Sequence, residues 1–370
     1  MTIKGSLQPT TMHDRLGIGI IGLGMGANML HVNRHRLRFR SEVRAICDLR
    51  KDRLRTYAAD FGVPFATNAW RELVLRPEVD IVGIFSPDHE HMEMLRLALE
   101  NGKHVICTKP MVVSLEEAKE TVCLVRKHRR KFLVGQTRRF VKHHQEVKAF
   151  YDSGRIGRAM LAEASYVHGD MWKVFDRGAW RFEHPQDFLY GGACHPIDHL
   201  RWYFGDVDEV HAYGCTSPVD PRYPPDKEMN FSINLRFKNG VMGRVVTACG
   251  IHEQPGGPIS DILPVEGVSI FGTQGTIVNY HAAYHEGGRH DVPRQELHFA
   301  KDDVKEDFDG KEYSGHLMSV LKYVQEMEDC VLNDKQPTVN EVEGAKCIAV
   351  CAACWASIQS GQTAKVFNEF

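Results

Sequence analysis

A chain of 370 residues with 46 Lys+Arg against 48 Asp+Glu carries a formal charge of −2, which offers no electrostatic footprint for nucleic acid or an anionic membrane. Hydrophobic residues at 43% and charged residues at 25% are ordinary for a soluble globular protein with room for two cores, and no apolar run reaches the length of a membrane span. Ten cysteines fall in apolar segments such as EVRAICD, HVICTKP and CIAVCAACW, the setting of reduced, core-packed thiols, so a cytoplasmic enzyme is expected.

Residues 1–15 are polar, lack the apolar core of a secretory signal and read as a disordered arm. From Leu16 onward short apolar runs alternate with helical segments. LGIGIIG predicts a strand, and a helix opens near Ala27. VRAICD predicts a second strand, followed by the amphipathic RKDRLRTYAADFG, and VDIVGIFS a third, followed by EHMEMLRLALENG. HVICT and FLVGQ predict the fourth and fifth, with SLEEAKETVCLVRKHRRK as the helix between them. Gly62 and Gly102 mark helix ends, and Ser114 with Glu117 fits a capping box. Strands that are apolar throughout and separated by helices mean a doubly wound parallel sheet, here over residues 16–142.

Beyond about residue 150 the rhythm changes. AMLAEASYV, NFSINLRF, VMGRVVTA and VEGVSIFG read as longer strands, with a turn at KNG and a Gly/Pro-rich loop over 251–264. Helical spacing returns in GHLMSVLKYVQEMEDCVL and VEGAKCIAVCAACWASIQSG. The expected architecture is α/β throughout. A C-terminal α/β domain over 143–370, with a large open and mainly antiparallel sheet, follows the first domain, and the final helix packs back on it.

In IGIIGLGMGANML, Gly22, Gly24 and Ala27 hold the positions of a G-x-G-x-x-G/A turn between strand and helix. The first glycine makes the tight turn, the second lets a pyrophosphate approach, and the third small residue lets helix and strand pack closely. Leu23, Met25 and Gly26 complete the loop, and a pyrophosphate would rest on the helix N-terminus. Asp48 closes the second strand at the distance from which a carboxylate accepts ribose hydroxyls, which favours NAD. Arg50 and Lys51 just beyond it leave NADP open. Ser86, Pro87, His89 and His91 of SPDHEH end the third strand on the same edge; helix capping and cofactor contact outweigh a metal pair there.

Taken in order and spacing, GIIGLGMG, CDLRKDRL, SPDHEH, LALENGKHVICTKPM, SLEEAKE, GQTRRF, SGRIG, WRF and CHPIDHLRWYFG resemble the Gfo/Idh/MocA oxidoreductases over nearly the whole chain from Leu16. The resemblance implies a Rossmann domain, a nicotinamide cofactor, a sugar or cyclitol substrate and a homo-oligomer assembled through the C-terminal sheet. It places the family's E-K-P lysine at Lys109, often followed there by a cis peptide, with Thr108 in place of the glutamate. It aligns the family's histidine on His195, an imidazole suited to alcohol deprotonation near neutrality. His195 is therefore the expected acid/base, with Lys109 orienting and assisting. Gly191 stands where the family carries an aspartate, either substituted or deleted, so Lys109 and His195 must share the proton transfer unless Asp187 or Tyr190 reaches in.

Trp180 and Arg181 of AWRF fall, by resemblance, against the nicotinamide side; an aromatic core residue beside a surface arginine is an equal reading. Arg138 and Arg139 of GQTRRF are candidates for a hydroxyl or cofactor contact. Asp198 and Arg201 are i, i+3 neighbours, so an ion pair stands level with a catalytic role, and Trp202 continues the same helix. His199 lines the substrate pocket or simply lies on that helix. Cys347, Cys351 and Cys354 share one helix face and read as packing onto the first domain. His281, His285 and His290 lie in HAAYHEGGRH, read as a loop, and no metal site is expected. The basic RKHRRK is a helix end, where cations complement the dipole.

The function expected is hydride transfer between nicotinamide and a secondary ring alcohol of a sugar, glycoside or cyclitol. The aromatic segment 166–183 would suit a pyranoside stacked on a ring, which makes glycoside 3-dehydrogenation a plausible subtype. An NAD-dependent glycoside hydrolase working by transient oxidation is the alternative, and a catalytically silent nucleotide-binding regulator a further one.

Overall fold

The strand Leu16–Ile21 (β1) is buried from Gly17 onward and so needs cover on both faces. A computed structural model describes residues 15–167, 180–249, 251, 267–279, 281–285, 294–298 and 315–370. In it β1 lies inside a six-stranded sheet with β2 (Ser41–Cys47), β3 (Phe65–Thr67), β4 (Ile81–Ile84), β5 (His104–Thr108) and β6 (Phe132–Gly135). All pairs are parallel and the order is β3-β2-β1-β4-β5-β6. The order reverses between β1 and β4, so the crevice at their carboxyl ends is the topological switch point where ligands bind in such sheets.

Local sequence explains the covering helices. Ser114 caps Leu115–His128 by accepting from the Glu117 N–H at 3.2 Å, and Gly62 closes Lys51–Phe61 at φ 62°. The helix expected near Ala27 is a tight 3₁₀ stretch, Met25–Leu30, continued by one turn, His31–Arg34. β3 was not predicted, because three partly exposed residues make no apolar run.

The second sheet has nine strands: β7 (Ala159–Val167), β8 (Val207–Thr216), β9 (Glu228–Phe237), β10 (Met242–Ala248), β11 (Val268–Gly272), β12 (Gly275–Val278), β13 (His281–His285), β14 (Arg294–His298) and β15 (Ala364–Lys365). Its order is β14-β13-β12-β11-β7-β10-β9-β8-β15, with β7 and β10 parallel and the other neighbours antiparallel. Burial alternates along β9, so one face is core and the other lies open. The helix Cys194–Phe204 covers the inner face, with Leu200 against Gly243. The outer face exposes Leu161, Tyr213, Met242 and Val278.

Two helices close the chain. Tyr323 of Gly315–Leu332 packs on Gly135 and donates to Thr137 Oγ1 at 3.1 Å, and Glu328 accepts from the Ser41 hydroxyl. Glu341–Ser360, capped by Asn340, lies with Gly344 against Val134 and Met111. Its cysteines bear out the sequence reading only in part. Cys347 meets the first domain, accepting from the Gln136 amide at 3.9 Å, while its own thiol and that of Cys351 donate to the carbonyls of Cys194 and Leu189, each at 3.4 Å. Cys123 and Cys215 also depart from expectation, since both are exposed. Residues 281–285 form β13, paired on both sides, where a loop was expected. The N-terminal arm up to residue 14, His290, nearly all of the 251–264 loop and most of the aromatic segment 166–183 lie outside the described residues.

Candidate active site

Backbone freedom shapes the cofactor edge. Gly22 has φ +86°, and a Cβ there would stand 2.5 Å from the Phe85 carbonyl oxygen, so the turn admits no side chain. Gly24 is exposed, and a Cβ on it would meet no protein atom within 4 Å, which leaves the backbone open to a close-lying phosphate. The close helix–strand packing falls to Gly26, whose Cβ would stand 2.9 Å from the Phe85 ring, rather than to the half-buried Ala27. That corrects the expected division of roles within the motif.

The Leu23 N–H donates to Asp48 Oδ2 at 2.8 Å, which ties the loop to the end of β2. Asp48 also accepts from the Arg50 N–H at 2.9 Å and from Arg53 Nη1 at 3.1 Å. Arg53 was missed from sequence; its signal was its place on the helix just after the acid. The Arg50 side chain points outward to Asp52, and Lys51 is exposed at the helix start. A bare glycine turn, the half-buried Met25 at the 3₁₀ start and a carboxylate at the next strand end are a donor and acceptor set that fits a dinucleotide.

Beyond β4, Ser86 Oγ donates toward Met94 Sδ at 3.2 Å, Pro87 is half-buried and His89 is exposed. The His89 ring lies 4.5 Å from His184 and 6.0 Å from Trp180, over which Arg181 stacks at 4.3 Å. Asp88 and Gln186, neither singled out from sequence, join this edge to the second domain. The Gln186 amide donates to Asp88 Oδ2, and its oxygen accepts from Arg181 Nε at 3.0 Å. Burial pulls the Arg181 guanidinium below its ordinary range, with Asp88 opposing.

Thr108, the last residue of β5, is buried, and the Lys109–Pro110 bond just beyond it is cis. Lys109 Nζ donates to the Gly191 carbonyl at 2.6 Å. Gly191 lies in a π-helical turn, Leu189–Ala193, that runs directly into Cys194–Phe204. Pro196 has no N–H to offer a carbonyl five residues back, the bond a π turn makes, and the Lys109 ammonium takes that acceptor. The space over Gly191, where a family aspartate would project, is filled by Gln186: a Cβ would stand 2.6 Å from its Nε2.

One turn after Gly191, the buried His195 ring lies 5.1 Å from Tyr166, tilted by 34°. Arg138 Cζ stands 5.8 Å from the same Tyr166 ring. Arg138 also donates to the Ser165 carbonyl at 3.3 Å and meets His199 Nδ1 at 3.4 Å. His199 is buried edge-on to His144 at 4.6 Å. Lys109, His195, Tyr166 and Arg138 thus come from four separate elements to one region.

Other candidates sit elsewhere. Asp187 accepts from the Leu189 N–H at 2.8 Å and from Trp355 Nε1 at 2.7 Å, so one oxygen braces the π turn and the other ties it to the helix Glu341–Ser360. Burial pushes its carboxyl upward against these donors. Tyr190 is buried beside Cys351 and Asp187, and burial raises its phenol too. The Asp198–Arg201 pair does not form: Asp198 takes Arg139 in a bidentate bond of 2.7 and 2.8 Å, while Arg201 reaches Glu343 at 3.4 Å. Arg139 also lies 5.9 Å from the Trp202 ring, so it braces the helix from the turn Thr137–Phe140 beyond β6. Among the described residues, no group of three or more His, Cys, Asp or Glu could hold a metal ion, and no helix is long and apolar enough to cross a membrane.

The family model described as "Oxidoreductase family, NAD-binding Rossmann fold" matches residues 16–136, and "Oxidoreductase family, C-terminal alpha/beta domain" matches 151–366. The chain is 27% identical over 248 residues to the levoglucosan dehydrogenase of Pseudarthrobacter phenanthrenivorans, a stretch covering 60% of this chain and 61% of that one. It is 28% identical over 235 residues to the myo-inositol 2-dehydrogenase of Thermotoga maritima, covering 61% and 66%. The matched stretches span less than two thirds of these curated relatives. A solved levoglucosan dehydrogenase in complex with NADH and levoglucosan superposes with a TM-score of 0.80 at 22% identity, covering 96% of this chain and 100% of that one. At that identity the likeness is one of fold.

Proposed function

We propose, for a chain that belongs to the Gfo/Idh/MocA oxidoreductases, an NAD-dependent dehydrogenase acting on a secondary ring alcohol of a sugar or cyclitol. The observation that carries this reading is the Lys109–Gly191 bond of 2.6 Å, which joins the end of β5 to the turn leading directly to His195. When bound, NAD supplies the hydride-accepting nicotinamide. Gly22, Gly24 and Asp48 would hold its adenosine half at the switch point. Lys109 donates to the carbinol oxygen and orients it, and His195 takes the hydroxyl proton at a ring nitrogen as general base. Tyr166, beside His195, offers an aromatic face to a sugar ring.

The carboxylate of Asp48 supports NAD over NADP, since it would repel a 2′-phosphate. The open outer sheet face, with Tyr213 63% and Met242 56% exposed, supports a homo-oligomer assembled through it. Ten free thiols fit a reducing, cytoplasmic setting. Sugars, cyclitols and glycosides offered with NAD and followed by NADH absorbance test the reading. Stoichiometric NADH formation with one substrate class is the expected result; glycoside cleavage without net redox change would overturn it.

A further inference from the structure

His91 heads the helix His91–Glu100, and none of its surface reaches solvent. Both ring nitrogens face acceptors. Nδ1 lies 3.0 Å from the Pro110 carbonyl oxygen, 3.3 Å from that of Met111 and 3.6 Å from Cys107 Sγ. Nε2 lies 3.0 Å from the Ser86 carbonyl oxygen. The Cys107 thiol has carbonyl acceptors of its own, Thr108 at 3.3 Å and Met111 at 3.7 Å, which leaves its sulfur to accept from the ring.

A neutral imidazole carries one N–H and one lone pair. Either tautomer would therefore aim a lone pair at a carbonyl oxygen in a dry interior, and a carbonyl has no proton to give. The doubly protonated ring satisfies both ends. We infer that His91 is a permanently charged imidazolium and a positioning residue, clamping the Ser86 end of β4 to the Lys109–Pro110–Met111 turn beyond β5.

The titratable groups that bear on it are Cys107 from β5 and Asp88 from the turn before its helix; its other partners are backbone carbonyls. Burial opposes the charge, while the Cys107 sulfur, Asp88 and the Ser86 carbonyl favour it and lift the ring above the ordinary imidazole range. Enclosed on all sides, the ring acts through the backbone it holds. Its clamp fixes the peptide on the far side of Pro110, next to the residue that presents Lys109. Only this consequence for Lys109 rests on the dehydrogenase reading; the charge state of His91 does not.

Full-length protein carrying ¹⁵N-labelled imidazoles provides the test. The His91 resonances among the 20 histidines are found by their loss in His91→Gln. Should that variant not fold, Cys107→Ser, which changes the atom 3.6 Å from Nδ1, identifies the same lines by their shift. Both nitrogens are expected to be protonated and unmoved from pH 6 to pH 9. Titration near the ordinary imidazole range, or a neutral tautomer at pH 7, would overturn the inference. For positioning, His91→Gln should lower kcat by about tenfold to a hundredfold, the scale of a misplaced reacting group, with NADH affinity changed far less. Unchanged kcat would remove the positioning role. A chain without dehydrogenase activity would leave the imidazolium result standing, so the two readings fail separately.

Discussion

A methyl group on Gly191 should destabilise the protein by about 1–3 kcal/mol, the usual cost of overpacking a filled interior, and should cut turnover as well. The added carbon would stand 2.6 Å from Gln186 Nε2, 2.8 Å from Cδ and 3.0 Å from Cγ. A free glutamine would swing its tip aside at little cost. Gln186 is held at both ends of its amide, by Asp88 on the nitrogen and by Arg181 at 3.0 Å on the oxygen. Releasing either end loses a hydrogen bond to a charged group, worth about 1.5–3 kcal/mol. If the helix yields instead, the Gly191 carbonyl moves and takes the Lys109 acceptor with it. A shift of about 1 Å there is enough to cost on the order of a hundredfold in rate. The assay pairs thermal unfolding with NADH titration and turnover for Gly191→Ala, alone and in a Gln186→Ala background. Removing the glutamine removes the clash, so the two losses should fall short of additive by about 1 kcal/mol or more. A Gly191→Ala protein that melts and turns over like the parent would refute the reasoning, and so would an undiminished penalty in the Gln186→Ala background.

Asp198→Ala should destabilise by about 3–5 kcal/mol, because it strands the buried Arg139 guanidinium. Glu343, half-buried at 3.3 Å and already bonded to Arg201, cannot replace a bidentate partner; denaturant titration of the two proteins checks this. Asp48→Ser should shift cofactor preference toward NADP by about tenfold, the equivalent of one charge-assisted bond. Arg53, 3.1 Å from the lost carboxylate, and the exposed Arg50 then remain to receive a 2′-phosphate, and calorimetry with both cofactors reads the change.

The parallel sheet was legible because β1, β4, β5 and β6 are short, mainly apolar runs separated by helical segments, and β2 ends in one despite Glu42 and Arg44. β3 and β15 were not, since strands of three and two residues carry no periodic signal. Within the candidate site, Lys109 and His195 stood out by motif, whereas Gln186 and Asp88 did not. A glutamine that bridges two domains looks like any polar loop residue until the chain has folded. The partner of Asp198 was misread for a related reason: helical spacing offered Arg201, but folding brought Arg139 from beyond β6, and a bidentate fork outcompetes an i, i+3 contact. His91 shows the same limit in another form, since its partners are carbonyls, and no sequence pattern announces a carbonyl.

In the proposed mechanism Lys109 and His195 handle one proton at one carbinol. Single-turnover NADH formation, measured alongside NAD binding in His195→Ala, Lys109→Ala and the double variant, decides whether they do. Each single change should slow the step by about a hundredfold, the scale of a lost positioned acid/base. NAD affinity should hold, because Gly22, Gly24 and Asp48 lie on the other half of the cofactor edge. The double variant should lose less than the product of the single losses, since both groups serve one transition state. Near-normal turnover in His195→Ala would contradict the claim.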